Sequence, residues 1–276
     1  MYADLHLHST ASDGVLKPAE LVGKAKKLGF SAIALTDHDT VSGIAEAEAA
    51  GEALGIEVIA GIELSAIDNR VQGEVEVHIL GYFIDPEHKK LLKVLKLINK
   101  SRTDRAVIMV KKLNEIGISI ALDRVLTLAE GESLGRPHIA RTMVEAGYIS
   151  DVKEAFSKDY IGRGGRAYVE RYKISPHDAI KLIIEAGGVP VLAHPGYLSD
   201  RTALTEYNII PYIESGLKGI EVFYSQHTLQ QVSYYREIAL KYGLLVTGGS
   251  DYHGDGLFGM VKLPDQYVEA LTDANK

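Results

Sequence analysis

The stretch Asp4-Leu5-His6-Leu7-His8-Ser9 decides how the rest of the chain is read. Its alternation is that of a short β-strand, with Leu5 and Leu7 on one side and Asp4, His6 and His8 on the other. Two imidazoles two residues apart on one strand face are either ordinary half-buried histidines or the first two ligands of a metal ion. The sequence further out decides between these by whether it supplies more ligands.

Outward from that strand, Ala11-Ser12-Asp13-Gly14 is a turn-forming cluster, and Pro18 starts a helical pattern of Leu21, Val22, Ala25 and Leu28 that stops at Gly29. The apolar run Ala32-Ile33-Ala34-Leu35 ends abruptly in Thr36-Asp37-His38-Asp39-Thr40. An Ala- and Glu-rich helix over 43–54 leads to a third run, 58–64, which carries Glu63. Continuous apolar runs separated by helices suit parallel strands covered on both faces. The polar clusters fall at strand C-termini, the face where an α/β barrel builds its active site. The rhythm breaks once. The turn-rich Asp68-Asn69-Arg70 and Gln72-Gly73 pass directly into 74–80, which reads as a hairpin returning as the fourth strand. A Lys-rich helical pattern covers 86–116, and 101–165 lacks a strong strand run. It contains Gly135-Arg136-Pro137-His138 and ends at the Gly-rich 162–166. Strand–helix alternation resumes with a helix from Ser175-Pro176 and a strand ending in His194-Pro195-Gly196. A strand over 219–223 then runs into His227, a helix follows over 228–242, and a last strand ends in Ser250-Asp251-Tyr252-His253. The expected organisation is an α/β barrel of seven strands from residues 1–100 and 166–276, with a small helical insertion over 101–165 that caps the substrate.

Composition narrows the chemistry. The chain has 276 residues, 46% hydrophobic and 24% charged, with a net charge of −7, which disfavours broad adhesion to nucleic acid or anionic membrane. Cysteine is absent, so any metal must be held by His, Asp and Glu. No secretory leader pattern and no run of 18 apolar residues is present, so a cytoplasmic location without membrane attachment is expected. No stable protein partner is evident.

Of the 10 histidines, His6, His8, His38, His78, His194 and His253 fall at or just past expected strand ends, with Asp13, Asp37, Asp39, Glu63 and Asp251 close by. Structural roles do not require histidines to gather at one rim, and the carboxylates would repel one another without cations. One ion takes about four to six ligands, so the inventory suits two to three ions. The mixed nitrogen and oxygen set fits Mn²⁺, Fe²⁺ or Zn²⁺ better than Mg²⁺ alone. Multi-ion sites suit phosphate ester hydrolysis, because the ions activate water and neutralise charge on the attacking and leaving oxygens.

Together, Asp4–Ser9, Thr36-Asp37-His38-Asp39, Gly61-Ile62-Glu63 with His78, His194-Pro195-Gly196 and Ser250–His253 resemble the PHP (polymerase and histidinol phosphatase) family over the whole chain. The resemblance implies a distorted seven-stranded TIM-like (β/α) barrel with a trinuclear metal centre. By position, one ion would use His6, His8, Glu63 and Asp251. A second would use Glu63, His78 and His194, and a third Asp13, His38 and His253. Asp37 and Asp39 would orient imidazoles. The insertion with Gly135-Arg136-Pro137-His138 resembles the branch hydrolysing nucleoside 3′,5′-bisphosphates, which includes 5′-3′ exoribonucleases acting on 5′-phosphorylated RNA.

Physically, Arg136 offers a planar fork for phosphate and His138 a donor to the same anion or to a leaving oxygen. The alternative for this segment is a solvated helix start with Pro137 in its first turn. His227 is either substrate-facing or a helix cap; Arg166 is either a substrate contact or a solvated surface group. Asp39, His138 and His227 are the candidate catalytic groups, and Arg136, His138 and Arg166 the candidate substrate-binding ones. The expected substrate is a phosphorylated nucleotide or a short RNA 5′ end. The rivals are a histidinol-phosphate or sugar-phosphate phosphatase and, in another class, a metallo-barrel amidohydrolase.

Overall fold

The computed structural model describes residues 2–70, 75–129, 134–170, 172–198, 203–254 and 258–276. The expected turn residues Gln72 and Gly73, and Glu74 beside them, lie outside these. The chain divides into two compact units, Met1–Lys93 with Lys173–Lys276, and Val94–Tyr172.

The first unit is an eight-stranded sheet. Its strands are β1 (Tyr2–Leu7), β2 (Ala32–Leu35), β3 (Glu57–Asp68), β4 (Val75–Tyr82), β5 (Val189–Leu192), β6 (Gly219–Tyr224), β7 (Leu245–Gly249) and β8 (Leu263–Pro264). They are ordered β7-β6-β5-β4-β3-β2-β1-β8. Helices α1 (Pro18–Lys27), α2 (Ile44–Leu54), α6 (Pro176–Glu185), α7 (Glu206–Glu214), α8 (Leu229–Tyr242) and α9 (Asp265–Ala274) belong to this unit. Pairing is parallel from β1 to β3 and from β5 to β7. The strand β4 is antiparallel to both of its neighbours, as a hairpin return requires.

The barrel is nearly closed on both sides of β1. Its start pairs antiparallel with the two-residue β8. Its end meets the segment after β7, where Asp251 N donates to His6 O at 2.9 Å and His8 N to Tyr252 O at 3.1 Å. The sequence reading has the seven long strands but not β8, α7 or α9. A two-residue strand is too short to show a period.

Helix starts follow local chemistry. Pro18 and Pro176 occupy first-turn positions, the Ser175 hydroxyl accepts from Asp178 N, and the Thr228 hydroxyl accepts from Gln231 N. The barrel core packs Ala3, Leu5, Ile59, Leu80, Tyr82 and Val191 with Leu263, Val268 and Leu271. The expected clean alternation of β1 does not hold. Its register with β2 shifts between Asp4 and Leu7, so Leu5 joins this core while Leu7 lies opposite Leu35.

The second unit packs a continuation of α3 (Lys89–Glu115) with α4 (Leu122–Leu128), α5 (Arg136–Glu145) and a 3₁₀ turn at Val152–Phe156. Met109, Leu113, Val125, Ile139, Met143 and Ile161 form its core. Its borders fall outside 101–165 because α3 runs unbroken across the first border. The Gly-rich 162–166 lies inside this unit, between Ile161 and Ala167, both fully buried in its core. Among the described residues no helix is long and apolar enough to cross a membrane.

Candidate metal centre

The strand β1 delivers His6 and His8 to the barrel interior, both fully buried. Room for this depends on Gly249, where a Cβ would fall 2.3 Å from His6 Cβ. After β1 the chain turns tightly around Asp37. Ser9 N donates to Asp37 Oδ1 at 2.7 Å, Ser9 Oγ to Oδ2 at 2.7 Å and Ser12 Oγ to Oδ1 at 2.6 Å. That loop presents Asp13. The Thr36 hydroxyl ties the end of β2 to the Leu7 backbone at 3.1 Å, and His38 and Asp39 follow. Glu63 sits within β3. His78 sits within β4, not at its C-terminus as expected, because β4 runs antiparallel and its N-terminal half faces the rim. His194 follows β5, and Asp251 and His253 follow β7. Three of the four non-glycine residues with positive φ among those described are here: Asp39 (53°), His194 (26°) and Asp251 (53°). Such backbone is held only where surrounding contacts over-determine it.

Glu63 is the centre of the arrangement. Its Oε2 lies 3.4 Å from His6 Nε2, 3.3 Å from His8 Nε2 and 2.9 Å from His38 Nδ1. Its Oε1 lies 2.9 Å from His78 Nδ1 and 3.1 Å from His194 Nε2. Asp251 Oδ1 is 3.4 Å from His6 Nε2 and 3.1 Å from His8 Nε2, and Asp13 Oδ1 is 3.2 Å from His253 Nε2. Three groups of side chains each bring ligand atoms within 4.8 Å of one another. They are His6, His8, Glu63 and Asp251; His38, Glu63 and His78; and His8, Asp13, His38 and His253. Several inward atoms are buried without a hydrogen-bond partner, among them His6 Nε2, both nitrogens of His8, His38 Nδ1, Glu63 Oε2 and Asp251 Oδ1. Convergent orphan donor atoms of this kind fit divalent cations, which would satisfy them all at once.

Without metal, the carboxylates and imidazoles of the site hold one another charged. Burial pushes the Glu63 carboxyl up, but His38, His78 and His6 hold it well below the ordinary carboxylate range. Asp13 and Asp251 are likewise held low against their burial by neighbouring imidazoles, His253 foremost for Asp13 and His6 for Asp251. Burial disfavours charged imidazole, yet Glu63 and Glu76 lift His78, and Asp13 and Asp251 lift His253, each to about 10.

The structure brings together His6, His8, Asp13, His38, Glu63, His78, His194, Asp251 and His253. Asp39 is buried behind them, its Oδ1 accepting from Ser65 N at 3.0 Å. Asp37 organises the Ser9–Ser12 turn. His227 uses both ring nitrogens on backbone: Nδ1 donates to Val222 O at 2.9 Å, and Nε2 accepts from Gly196 N at 3.1 Å. It thereby clamps the turn after His194. In the second unit, His138 Nδ1 accepts from Gly135 N at 3.0 Å, and the Arg136 guanidinium lies 5.3 Å from the Phe156 ring centroid. Arg166 is exposed.

Sequence reading missed three supporting groups. Glu221 is fully buried in β6, where it accepts from His6 Nδ1 at 3.0 Å and His194 N at 2.8 Å. Glu76 lies 3.5 Å from His78 Nε2 and pairs with Lys173. Tyr224 donates its hydroxyl to Asp251 Oδ2 at 3.1 Å. Glu221 had a legible signal, a lone carboxylate inside an otherwise apolar strand. Glu76 and Lys173, 97 positions apart in the numbering, had none.

Comparison with known proteins gives the same picture. Residues 4–158 match the PHP domain family. The chain is 37% identical over 254 residues to a 3′,5′-nucleoside bisphosphate phosphatase of Chromobacterium violaceum, covering 92% of this chain and 87% of that protein. It is 38% identical over 250 residues to a 5′-3′ exoribonuclease of Haemophilus influenzae, covering 91% and 89%. A solved structure from Bifidobacterium adolescentis, described as a candidate metal-dependent phosphoesterase, superposes with a TM-score of 0.89 at 33% identity. It covers 98% of this chain and 95% of that one.

Proposed function

The chain belongs to the PHP domain family, and from that premise we propose that it is a metal-dependent phosphoesterase. Its proposed substrates are nucleoside 3′,5′-bisphosphates, such as adenosine 3′,5′-bisphosphate, and short 5′-phosphorylated RNA. The observation that carries this reading is the convergence of imidazoles and carboxylates on Glu63, with buried ligand atoms left unsatisfied.

We assign two to three divalent ions, Mn²⁺, Fe²⁺ or Zn²⁺, to these groups. His6, His8, Glu63 and Asp251 hold one, Glu63 with His78 and His194 another, and Asp13, His38 and His253 a third. His38 Nδ1, 2.9 Å from Glu63 Oε2, also lies within reach of the second position. Bound there, the ions supply Lewis acidity toward a phosphoryl oxygen and an activated water.

The protein's own part is positioning. Glu221 fixes the ring of His6 and the backbone of His194, and Tyr224 fixes Asp251. His227 and Gln231 hold the turn at Gly196, His227 on its N–H and Gln231 on its carbonyl at 2.7 Å. Arg136 and His138 of the second unit, with Arg166, are proposed for the substrate phosphates. Arg136 has fork geometry, and the buried Arg102 reaches the same helix start, with Nη1 3.8 Å from where a Gly135 Cβ would stand. Asp39 and His138 are the residues to test for proton transfer; His227, with both ring nitrogens engaged by backbone, is placed with the positioning residues instead. A cytoplasmic setting suits nucleotide and RNA substrates.

The deciding experiment is a phosphate-release screen with Mn²⁺ on adenosine 3′,5′-bisphosphate, 5′-phosphorylated dinucleotides and histidinol phosphate. Preferential turnover of the nucleotides is expected; preference for histidinol phosphate would overturn the substrate assignment. Arg136→Ala should raise KM about 10-fold or more for the bisphosphate and less for a monophosphate. Equal effects on both would remove Arg136 from the second phosphate.

A further inference from the structure

Two imidazoles of the centre are backed by carboxylates of unequal charge. Behind His6 stands Glu221, fully buried, accepting from His6 Nδ1 at 3.0 Å and from His194 N at 2.8 Å. No lysine or arginine pairs with Glu221 among the described residues. Behind His78 stands Glu76, 3.5 Å from His78 Nε2, and its same oxygen pairs with Lys173, whose side chain is only 7% exposed. A carboxylate behind a ligating imidazole raises the ring's basicity and so its hold on a cation. A buried ammonium on that carboxylate cancels much of the effect, because charges in a poorly solvated setting are weakly screened.

The inner groups add to the difference. The His6, His8, Glu63, Asp251 group brings two carboxylates, whereas His38, Glu63 and His78 bring only Glu63, which both groups share.

We propose that the centre holds its divalent ions with graded strength. The position at His6, His8, Glu63 and Asp251 keeps its ion. The position at His78 exchanges its ion with solution, and Lys173 sets that weakness by neutralising Glu76. The proposal rests on the metal centre assigned above and adds which position is labile and which residue outside the ligand set makes it so.

The test is a Mn²⁺ titration of full-length protein stripped of metal, read by calorimetry and by bound metal after gel filtration, with no activity assay. Wild type is expected to show a tight class and a class at least 10-fold weaker. Lys173→Gln should tighten the weak class about 10-fold and leave the tight class unchanged. Glu221→Gln should weaken the tight class by about 10- to 100-fold. Glu76→Gln keeps the proposal testable if Lys173→Gln folds poorly. It should weaken the weak class, and adding Lys173→Gln to it should change nothing more. Equal affinities in wild type, or a Lys173 effect that persists without Glu76, would overturn the grading. Absence of any bound Mn²⁺ would instead overturn the metal centre itself.

Discussion

At the scale of single residues, the candidate centre turns on buried ligand atoms without a hydrogen-bond partner. Both nitrogens of His8 are buried without a hydrogen bond, and its Nε2 faces Glu63 Oε2 and Asp251 Oδ1. His8→Ala should therefore lower phosphate release by at least about 100-fold, the upper end of what removing an outer partner does. Its far-ultraviolet circular dichroism should stay native, since Leu5 and Leu7 still pack. A collapse of the fold would show that His8 is structural. Gly249 is as constrained as any ligand. A methyl there would sit 2.3 Å from His6 Cβ, so Gly249→Ala should destabilise by about 1–3 kcal/mol through overpacking, measurable by urea unfolding. The gathering of these imidazoles and carboxylates was legible because imidazoles at successive strand ends have little other reason to share a rim. The distinct tasks of Asp37 and Asp39 were not. Neighbouring carboxylates look alike in sequence, and only the fold shows that Asp37 gathers the hydroxyls of Ser9 and Ser12 while Asp39 takes the N–H of Ser65.

At the scale of elements, the turn after β1 is a unit built on one side chain. Asp37 accepts from Ser9 N, Ser9 Oγ and Ser12 Oγ, all buried, and the loop they shape carries Asp13. Asp37→Ala would strand these donors. The expected loss of stability is about 1–3 kcal/mol per group left unpaired, followed by chemical denaturation, with bound metal falling as Asp13 loses its placement. An unchanged metal count would separate the loop from the centre. Strand–helix units were readable from continuous apolar runs and from Pro18, Pro176 and Thr228 at helix starts. The register shift in β1 was not readable, because it comes from how Leu7 meets Leu35 across the sheet. The first border of the second unit was hidden for a related reason. The helix α3 (Lys89–Glu115) crosses it without a break, so no turn residue marks it.

At the scale of the molecule, charge stored in the centre links stability to pH. His78 and His253, ordinarily titrating at 6.5, are held at about 10 by carboxylates that outweigh their burial. The stability these charged imidazoles contribute is complete below pH 6.5 and is lost as pH rises through 10. Glu63, Asp13 and Asp251 are shifted the other way, so their contribution is present above the ordinary carboxylate range and lost only in strong acid. Metal-free protein should therefore melt at progressively lower temperature from pH 6.5 to 10. Metal-loaded protein should not, because the imidazoles then bind as neutral ligands. Scanning fluorimetry of both forms across that range checks this, and parallel curves would show that these histidines do not carry the linkage. The barrel class and the rim of the site were visible in the sequence. The closure was not, since β8 (Leu263–Pro264) is two residues long and its pairing with Tyr2 and Ala3 is a property of the finished ring.

That closure also sets an order of events. Ser250 N reaches Asp4 Oδ1 across 246 positions of chain, and Asp251 N reaches His6 O beside it. His6 and His8 have no Asp251 to share until the segment after β7 has docked and the ring has shut. Contacts this distant along the chain form late, after the loop they close has been drawn together. Assembly of the candidate centre therefore waits on the docking of the segment after β7 against β1.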